Sequence, residues 1–278
     1  MIALVTCSEL PSGSGEDELA ERLGASWAVW DDPSVDWAAF ELVVVRSPWD
    51  YKDDRDAFVA WAQSVPRLVN PAPVLAWNTD KRYMGEVAAA GLPVVETTFL
   101  ALGEGLPDEL PEELVLKPTV SAGAQDTGRF RPAADLDAAR ALLAHIHASG
   151  RTAMLQPFLA SVDVRGERAL LYAGGAFSHA VSKGPILAPG EVASMAIDED
   201  PEMAAAGPTQ EERALADRAV TWLTERFGPL AYARIDLLAG EDGSPVVLEL
   251  ELTEPSLFLG HSPGATERFA SAFQALAR

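Results

Sequence analysis

The sequence contains a single cysteine, Cys7, among its 278 residues. One cysteine cannot form a disulfide within the chain, and it cannot build a zinc site from several thiolates. No apolar run approaches the roughly 20 residues of a membrane-spanning helix, and the N-terminal stretch "MIALVTCSEL" lacks the basic leader of a signal peptide. We therefore expect a soluble, cytoplasmic protein that does not act on a membrane.

Basic residues are also scarce. Lys and Arg number 21 against 42 Asp and Glu, which gives a formal net charge of −21. Binding a nucleic-acid backbone requires clustered Lys and Arg, so general affinity for nucleic acid is excluded. The simplest interpretation of the acidity is solubility, and a bound polyanion would depend on a few well-placed basic residues.

Several catalytic signatures are missing as well. The sequence has no G-x-x-x-x-G-K-[ST] loop, which excludes a P-loop nucleotide hydrolase. It also has no visible Ser-His-Asp arrangement. His179 stands alone within a strand pattern, and we interpret it as a structural residue.

Alternating strand and helix patterns divide the chain into three lobes. Residues 1–77 alternate strand and helix around the continuous apolar run "ELVVVR", which is typical of a small doubly wound α/β domain. Residues 78–157 begin with "NTDKRYMGEVAAAG", which predicts a helix with Lys81 in its first turn. Residues 158–278 are mostly strands with two helices. The predicted class is mixed, α/β and α+β.

Two glutamates interrupt the apolar strand "SPVVLELEL". Side chains alternate across a strand, so Glu249 and Glu251 point to one face, about 7 Å apart along the chain. Counting outward from the predicted turn "GEDGSP" places Asp236, in the strand "YARIDLL", opposite this pair. Three carboxylates on one face favour an Mg²⁺ or Mn²⁺ site, and the alternative is a solvated sheet face with ordinary acidic residues.

Three of the four lysines occupy unusual positions. Lys117 ends the strand "ELVLKP" and precedes a loop, residues 121–129, whose glycines would let it fold over an anion. Lys81 lies where a helix dipole disfavours a cation, and Lys183 follows a strand. These positions suit a phosphate substrate beside a metal site, although each lysine alone is more often a solvated surface group.

The order of these motifs resembles that of the ATP-grasp ligases over nearly the whole chain. The resemblance is greatest to the glutathione-synthetase and RimK-like branch, and within it to the cycloserine-forming O-ureido-serine cyclo-ligases. It implies an ATP-grasp fold in which residues 1–77 precede a small subdomain with a lid loop, 78–157, and a large subdomain with the Mg²⁺ site, 158–278. The segments that carry it are "RSPWDY", "NTDKRYM", "ELVLKPTVSAGAQDTGRF", "LQPFL" with "GERALLY", "SHAVSK", and "YARIDLL" with "VVLELELTEPSLF".

The resemblance implies that ATP binds between the two α+β subdomains. Two lysines would hold the phosphates, and three small loop residues would cover them. A hinge of four residues would meet the adenine edge, and a glutamate would bind the ribose hydroxyls. In chain order these residues are Lys81, Lys117, Ser121, Ala122, Gly123, Gln156, Pro157, Phe158, Leu159 and Glu167.

The resemblance also implies two Mg²⁺ ions, with Mn²⁺ as an alternative, bound by Asp236, Glu249 and Glu251. The superfamily usually has E-x-N where this chain has E-x-E, so an inner-sphere role for Glu251 stays open. Lys183 would lie at the γ-phosphate, and Arg234 would steady the charge at the reacting carboxylate.

Candidate substrate residues follow the strand "ELVVVR", because α/β sheets bind ligands at the carboxyl ends of their strands. They are Arg46, Trp49, Asp50 and Tyr51, and Arg46 could pair with a substrate carboxylate. Ser256, just after the metal strand, is another candidate. The alternative interpretation of "RSPWDY" is a loop anchored by Trp49.

The implied reaction joins a carboxylate to an amine. ATP would convert a small amino-acid-like carboxylate into an acylphosphate, a nitrogen would attack it, and ADP and phosphate would leave. Two alternatives stay open: an intramolecular cyclo-ligase of the cycloserine-synthetase type, and a nucleotide-binding regulator without turnover. The expected partners are small-molecule carboxylate and amine substrates, and a homodimer is one open oligomeric state.

Overall fold

The structure is a computed structural model that describes residues 1–193 and 203–277. Within these ranges the strands form three sheets. No helix in the described ranges combines the length and the apolar character needed to cross a membrane. The class is mixed α/β, as the sequence predicts.

The N-terminal lobe is a parallel sheet covered on both faces. Its elements are β1 Ile2–Thr6, α1 Asp17–Leu23, β2 Ser26–Val29, β3 Leu42–Ser47, α2 Arg55–Ser64, β4 Leu68–Val69 and α3 Ala72–Asn78. The strand order is β2-β1-β3-β4. Val43 and Val45 pack towards Phe58 of α2, whereas Leu42 and Val44 belong to the cluster around Leu19 of α1. The continuous apolar run of β3 is therefore buried on both sides.

A second, antiparallel sheet follows. Its elements are α4 Met84–Ala89, β5 Thr98–Leu100, β6 Leu114–Pro118, β7 Thr127–Phe130, α5 Pro132–Ala148 and β8 Ala153–Pro157. The helix predicted from Asn78 is interrupted, because the Asp80 side chain accepts a hydrogen bond from the Arg82 amide and caps a short 3₁₀ turn, Lys81–Tyr83. Lys81 therefore lies in this turn and not in the first turn of an α-helix.

The third lobe supplies a larger antiparallel sheet. Its elements are α6 Ser161–Arg165, β9 Glu167–Ala173, β10 Ala176–Lys183, β11 Val192–Ala193, β12 Met203–Ala206, α7 Gln210–Phe227, β13 Tyr232–Ala239, β14 Pro245–Glu251 and α8 Ala265–Leu276. The order is β12-β10-β9-β13-β14, while β11 crosses over to the second sheet, whose order is β11-β7-β6-β8-β5. A capping box between Thr209 and Glu212 starts α7.

The only two asparagines of the sequence, Asn70 and Asn78, attach the N-terminal lobe to this sheet. Asn70 Nδ2 donates to the carbonyl oxygens of Tyr232 and Leu252 at 3.0 and 2.8 Å, and its Oδ1 accepts from the Ala231 amide at 2.8 Å. Both amides are buried, and a buried amide is stable only when it is hydrogen-bonded. These bonds fix the lobe against the ends of β13 and β14.

The free edge of β14 is also covered. The Leu250 amide donates to Tyr83 Oη at 3.0 Å, and its carbonyl accepts from Asn78 Nδ2 at 2.7 Å. Further along, the Val247 amide donates to the Pro93 carbonyl at 2.8 Å. An edge strand with satisfied backbone groups is held in one position, so the side chains of Glu249 and Glu251 have a rigid base.

Candidate active site

A cavity of about 500 Å³ lies where the three lobes meet. Of the predicted site residues, all but Arg46 and Asp50 line it. They come from the 3₁₀ turn before α4, the ends of β6, β8 and β10, the start of β9, and the hairpin β13–β14. The predicted residues on this wall are Trp49, Tyr51, Lys81, Lys117, Ser121, Ala122, Gly123, Gln156, Pro157, Phe158, Leu159, Glu167, Lys183, Arg234, Asp236, Glu249, Glu251 and Ser256.

A bulge sets the register of the β13–β14 hairpin, because counting from the Ala239–Pro245 pair at the turn would put Asp236 opposite Leu248. Asp236 stands directly opposite Glu249, and Arg234 stands opposite Glu251. A bulge between Asp236 and Leu237 shifts the rest of the ladder. Because side chains alternate with a period of two, all four charged groups face the cavity while Ile235 and Leu250 face the core.

Asp236 is the centre of an ion-pair network. Lys183 Nζ lies 2.8 Å from its Oδ2, and Arg234 Nη2 lies 2.9 Å from the same oxygen. Lys183 also contacts Glu167, and Arg234 also contacts Glu251. Burial would raise the pKa of Asp236, but Arg234 and Lys183 outweigh it and hold the pKa well below its usual range.

The other two acids of this network, Glu167 and Glu251, are protonated more readily than Asp236. Burial, reinforced by the charge of Asp236, raises the pKa of Glu167 to about 8 although Lys183 is in contact with it. Burial also raises the pKa of Glu251 to about 7, with Asp236 and Glu249 adding to the effect and Arg234 opposing it. The cavity therefore holds more carboxylates than its cations stabilise as anions.

Lys81 connects the second acidic strand to the loop after β6. Its Nζ lies 3.1 Å from Glu249 Oε1 and donates to the Ser121 carbonyl at 2.9 Å. Burial would raise the pKa of Glu249, but Lys81 and Lys117 lower it below its ordinary value. Lys117 forms no ion pair within the described part of the chain, and burial lowers its pKa. It is a desolvated cation that an anionic ligand would stabilise.

The lid loop, predicted to span residues 119–129, is shorter in the structure. Residues 119–126 form the loop, whereas Arg129 lies in β7, buried, with Glu113 and Asp163 each 2.8 Å away. At the hinge, the Phe158 amide donates to the Glu113 carbonyl at 2.9 Å, and the Arg129 guanidinium stacks 3.4 Å from the Phe158 ring centre. The base of the loop and the hinge are thus linked through Arg129.

Two substrate predictions from the N-terminal lobe do not agree with the structure. Arg46 is outside the cavity and 2% exposed, and its guanidinium binds Glu16 through two hydrogen bonds of 2.8 and 2.7 Å. Asp50 accepts a hydrogen bond from Trp30 Nε1 at 2.8 Å and does not line the cavity. Both groups lie outside the cavity lining, so neither faces the space in which a substrate carboxylate or amine would bind.

Trp49 and Tyr51 do line the cavity, and Trp49 also acts as an anchor. Its indole N–H donates to the Glu254 carbonyl at 3.1 Å, which agrees with the alternative interpretation of "RSPWDY". Glu254 itself lines the cavity and was missed, since a single Glu after a strand carries no periodic signal. Burial and the nearby Glu251 raise its pKa to about 8, although Tyr51 acts to lower it.

The acids of the hairpin suit a hard divalent cation in their chemistry. Carboxylate oxygens from adjacent strands are typical Mg²⁺ ligands. In this structure, however, Asp236, Glu249 and Glu251 are each held by Lys or Arg. Across residues 1–193 and 203–277, no three His, Cys, Asp or Glu side chains are close enough together to hold an ion. The donor set fits the metal, and binding would require the basic side chains to leave the carboxylates.

Comparisons with known proteins give a consistent relationship. Residues 2–70 match the family model of the D-cycloserine synthetase DcsG N-terminal domain. The cycloserine biosynthesis protein DcsG of Streptomyces lavendulae is 39% identical over 259 residues, which span 87% of this chain and 85% of that protein. The crystal structure of D-cycloserine synthetase DcsG is 34% identical, with a TM-score of 0.88 over 100% of this chain and 99% of that one.

A more distant solved structure shows the fold alone. A RimK domain ATP-grasp protein from Sphaerobacter thermophilus is 19% identical, with a TM-score of 0.66 over 98% of both chains. The likeness extends over all three sheets, including the N-terminal lobe.

Proposed function

The chain belongs to the ATP-grasp ligases, in the group of the cycloserine synthetases, and we propose that it closes a ring within one amino-acid-like substrate. It is an ATP-dependent ligase that forms C–N bonds and releases ADP. The proposed step joins a nitrogen of the substrate to the carboxylate of the same molecule. The observation that carries this proposal is the 39% identity to a cycloserine biosynthesis protein over most of both chains.

ATP would bind in the cavity between the second and third sheets. Lys81 and Lys117 converge on the acidic hairpin from the opposite wall, and Ser121 to Gly123 line the same space. When the nucleotide binds, the contact between Lys81 and the Glu249 carboxylate would be replaced by contacts between the lysines and the phosphate oxygens. Gln156 to Leu159 would contact the adenine, and Glu167, at the start of β9, would bind the ribose.

Asp236, Glu249 and Glu251 would hold magnesium. Bound there, Mg²⁺ supplies charge neutralisation between the phosphate oxygens and the acids of the hairpin. The same proposal includes the binding of two Mg²⁺ ions at this site and the use of Mn²⁺ in place of Mg²⁺. Lys81, Lys183 and Arg234 would then shift from the acids to the phosphates and the reacting carboxylate, so the cavity would keep its charge balance.

Lys183 and Arg234 are the proposed catalytic cations. The substrate carboxylate oxygen attacks the γ-phosphorus, and the bond to the ADP oxygen breaks. The substrate nitrogen then attacks the acyl carbon of the acylphosphate, phosphate leaves, and the nitrogen loses a proton. Preorganised cations stabilise the charge that develops in both steps, and the covered cavity excludes water from the acylphosphate.

Trp49, Tyr51 and Ser256 remain as candidate substrate contacts. All three side chains line the end of the cavity formed by the N-terminal lobe and the segment after β14. The similar proteins include a biosynthesis protein and a synthetase, so the alternative of a regulator without turnover has no observation in its favour. An N-terminal lobe, a small subdomain and a large subdomain, with bounds 1–77, 78–157 and 158–278, remain our proposed domain division.

The proposal is tested by supplying both enantiomers of O-ureidoserine with ATP and Mg²⁺ and no second amine. ADP release should equal the amount of a ring-closed product, identified by mass. Lys183→Ala should release no ADP above background. Product that appears only when a separate amine is added would contradict ring closure and would favour intermolecular ligation, the other reaction predicted from the sequence.

A further inference from the structure

The segment of residues 253–257, which we call the strap, follows β14 and has no regular secondary structure. Each of its five consecutive carbonyl oxygens nevertheless accepts a hydrogen bond from a side chain of another segment. The donors, in strap order, are Tyr232 Oη at 2.8 Å, Trp49 Nε1 at 3.1 Å, Arg46 Nη2 at 2.5 Å, Arg234 Nη1 at 3.3 Å and His179 Nε2 at 3.1 Å.

These donors come from distant parts of the chain and are mostly buried. Arg46 is itself fixed by Glu16, and Arg234 by Asp236 and Glu251. An irregular segment whose backbone acceptors are all engaged is held nearly as firmly as a strand. The strap is therefore a rigid carrier for the side chains that it presents.

The strap presents Glu254 and Ser256 to the cavity. Tyr51, on the N-terminal lobe, lies near Glu254 and lowers the pKa of its carboxyl group, and the Tyr51 hydroxyl donates to the Ser121 carbonyl at 3.5 Å. Glu254 thus stands between the acidic hairpin, the N-terminal lobe and the base of the lid loop.

Glu254 differs from its acidic neighbours in one respect. Glu167, Asp236, Glu249 and Glu251 each contact a Lys or Arg side chain. Glu254 forms no ion pair with any residue that the structure describes. A buried carboxyl group is ionised only with a cation beside it, and a positively charged ligand could supply that cation here.

We propose that Glu254, held by the strap, binds the ammonium group of the amino-acid substrate and selects substrates in which that group is free. This inference rests on the proposed function, since it takes the reacting carboxylate to lie at Arg234. The nitrogen and carboxyl carbon of an α-amino acid are about 2.5 Å apart, because two bonds of about 1.5 Å separate them. Arg234 contacts the strap through the Ser256 carbonyl, and Glu254 and Arg234 line the same cavity, so an amino acid with its carboxylate at Arg234 would have its ammonium group near the strap.

Ser256 belongs to the same subsite. It lies two residues beyond Glu254, and both side chains line the cavity. A hydroxyl beside a carboxylate offers a second acceptor to an ammonium group, which has three N–H donors. An N-acylated substrate would present one N–H and no charge, and would leave Glu254 without a cation.

The test compares O-ureidoserine with its N-acetyl derivative. Turnover of both is measured for the full-length wild type, Glu254→Gln and Glu254→Asp, at saturating ATP and Mg²⁺. The wild type should prefer the free amine on the order of 100-fold in kcat/KM, and Glu254→Gln should lose this preference while the KM for ATP changes less than about threefold. Glu254→Asp should restore part of the preference. Glu241→Gln, an exposed acid in the β13–β14 turn, is the matched control.

Two outcomes would overturn the inference. An equal loss with both substrates would show that Glu254 only supports the fold. A raised Mg²⁺ requirement with an unchanged preference would make it a metal ligand.

A failure of the proposed function is distinguishable from these outcomes. In that case the wild type releases no ADP, and the subsite is tested by calorimetric titration of the two compounds with a non-hydrolysable ATP analogue and Mg²⁺. Binding that requires the free ammonium and is lost in Glu254→Gln supports the inference. Equal binding of both compounds, or no binding by the wild type, overturns it.

Discussion

The ammonium nitrogen of Lys183 lies 2.8 Å from Asp236 Oδ2, and the two residues belong to strands separated by β9. The proposed phosphate-binding cation and the proposed metal ligand thus neutralise each other directly. Burial opposes the charge on both, but Asp236 and Glu167 raise the pKa of Lys183 while Arg234 and Lys183 lower that of Asp236. The pair is charged over the whole physiological range, and each group is ready to exchange its partner for a phosphate or a metal ion.

Removing the cation of this pair should abolish most of the activity without unfolding the protein. In Lys183→Ala we expect ADP formation to fall on the order of 100-fold or more, because a charge aimed at the transferred phosphoryl group is lost. Asp236 keeps Arg234 at 2.9 Å, and Glu167, which loses its cation, can take up a proton, so the variant should stay folded, as thermal unfolding would show. Arg140→Ala removes an exposed cation on α5 and is the control. Normal turnover by Lys183→Ala would falsify the catalytic assignment.

The two glutamates of β14 should differ in their effect on the magnesium requirement. Glu249→Gln should raise the half-saturating Mg²⁺ concentration about tenfold or more, because Glu249 stands directly opposite Asp236. Glu251→Gln should raise it less, since the amide keeps an oxygen donor as the usual E-x-N motif does. Mg²⁺ titrations of ADP release measure both, with Glu241→Gln as the control. A larger effect from Glu251→Gln would assign the main inner-sphere role to Glu251.

Gly166 lets β9 approach the end of β10. Its φ is +64°, and a Cβ there would lie 2.2 Å from the Lys183 carbonyl oxygen. In Gly166→Ala we expect both lower stability and lower turnover, because the backbone of Lys183 must move. Gly150→Ala is the matched control, since Gly150 has φ +79° and a Cβ at that position would meet nothing within 4 Å. The free energy of unfolding of Gly150→Ala should decrease by about 1–2 kcal/mol only, which is the cost of a left-handed backbone conformation for alanine. Equal losses in the two variants would contradict the close approach.

Asn70 should be among the most sensitive polar residues outside the cavity. Asn70→Ala removes three hydrogen bonds and leaves buried backbone groups of Leu252 and Ala231 without this partner. We expect a loss of about 2–4 kcal/mol in the free energy of unfolding, measured by urea denaturation. Gln63→Ala removes an exposed amide on α2 and should change it by less than about 0.5 kcal/mol. Similar values for both would mean that the lobe is not fixed by this side chain.

His179 should make the protein less stable in mild acid. Burial, with Arg268 nearby, lowers its pKa to about 4, whereas the unfolded chain has a histidine pKa of about 6.5. The unfolded state therefore takes up this proton first, and the contribution of His179 to stability is complete above about pH 6.5 and decreases as the pH falls towards 4. The full difference is about 3 kcal/mol.

Denaturation curves at several pH values in this range check the effect. The free energy of unfolding of the wild type should decrease relative to that of His179→Gln as the pH falls from about 6.5 to 4, because Gln does not titrate but still offers an N–H to the Leu257 carbonyl. His145→Gln, on an exposed part of α5, is the control for the loss of a histidine. An unchanged slope in His179→Gln would exclude His179 as the source.

The sequence by itself determined the local part of this protein. A period of two placed Glu249 and Glu251 on one face, and the turn placed Asp236 opposite this pair, but the bulge that makes Glu249 its direct partner was not predicted. Apolar runs identified the strands, and the order of the motifs identified the family. These features depend on residues that are close along the chain or joined by one short turn, so the sequence predicts them without knowledge of the tertiary structure.

Only the tertiary structure decided which charges meet. Arg46 is the same chemical group as Arg234, yet Glu16 and the strap hold it outside the cavity, while Arg234 lines the cavity wall. Glu254 has no pattern in the sequence, and it enters the site because five distant side chains fix the strap. Periodicity shows on which face of a strand a side chain lies, but it does not show which residues of other segments face that side chain. The role of a buried charged group depends on those residues, because its charge must be balanced by the partners that packing places beside it.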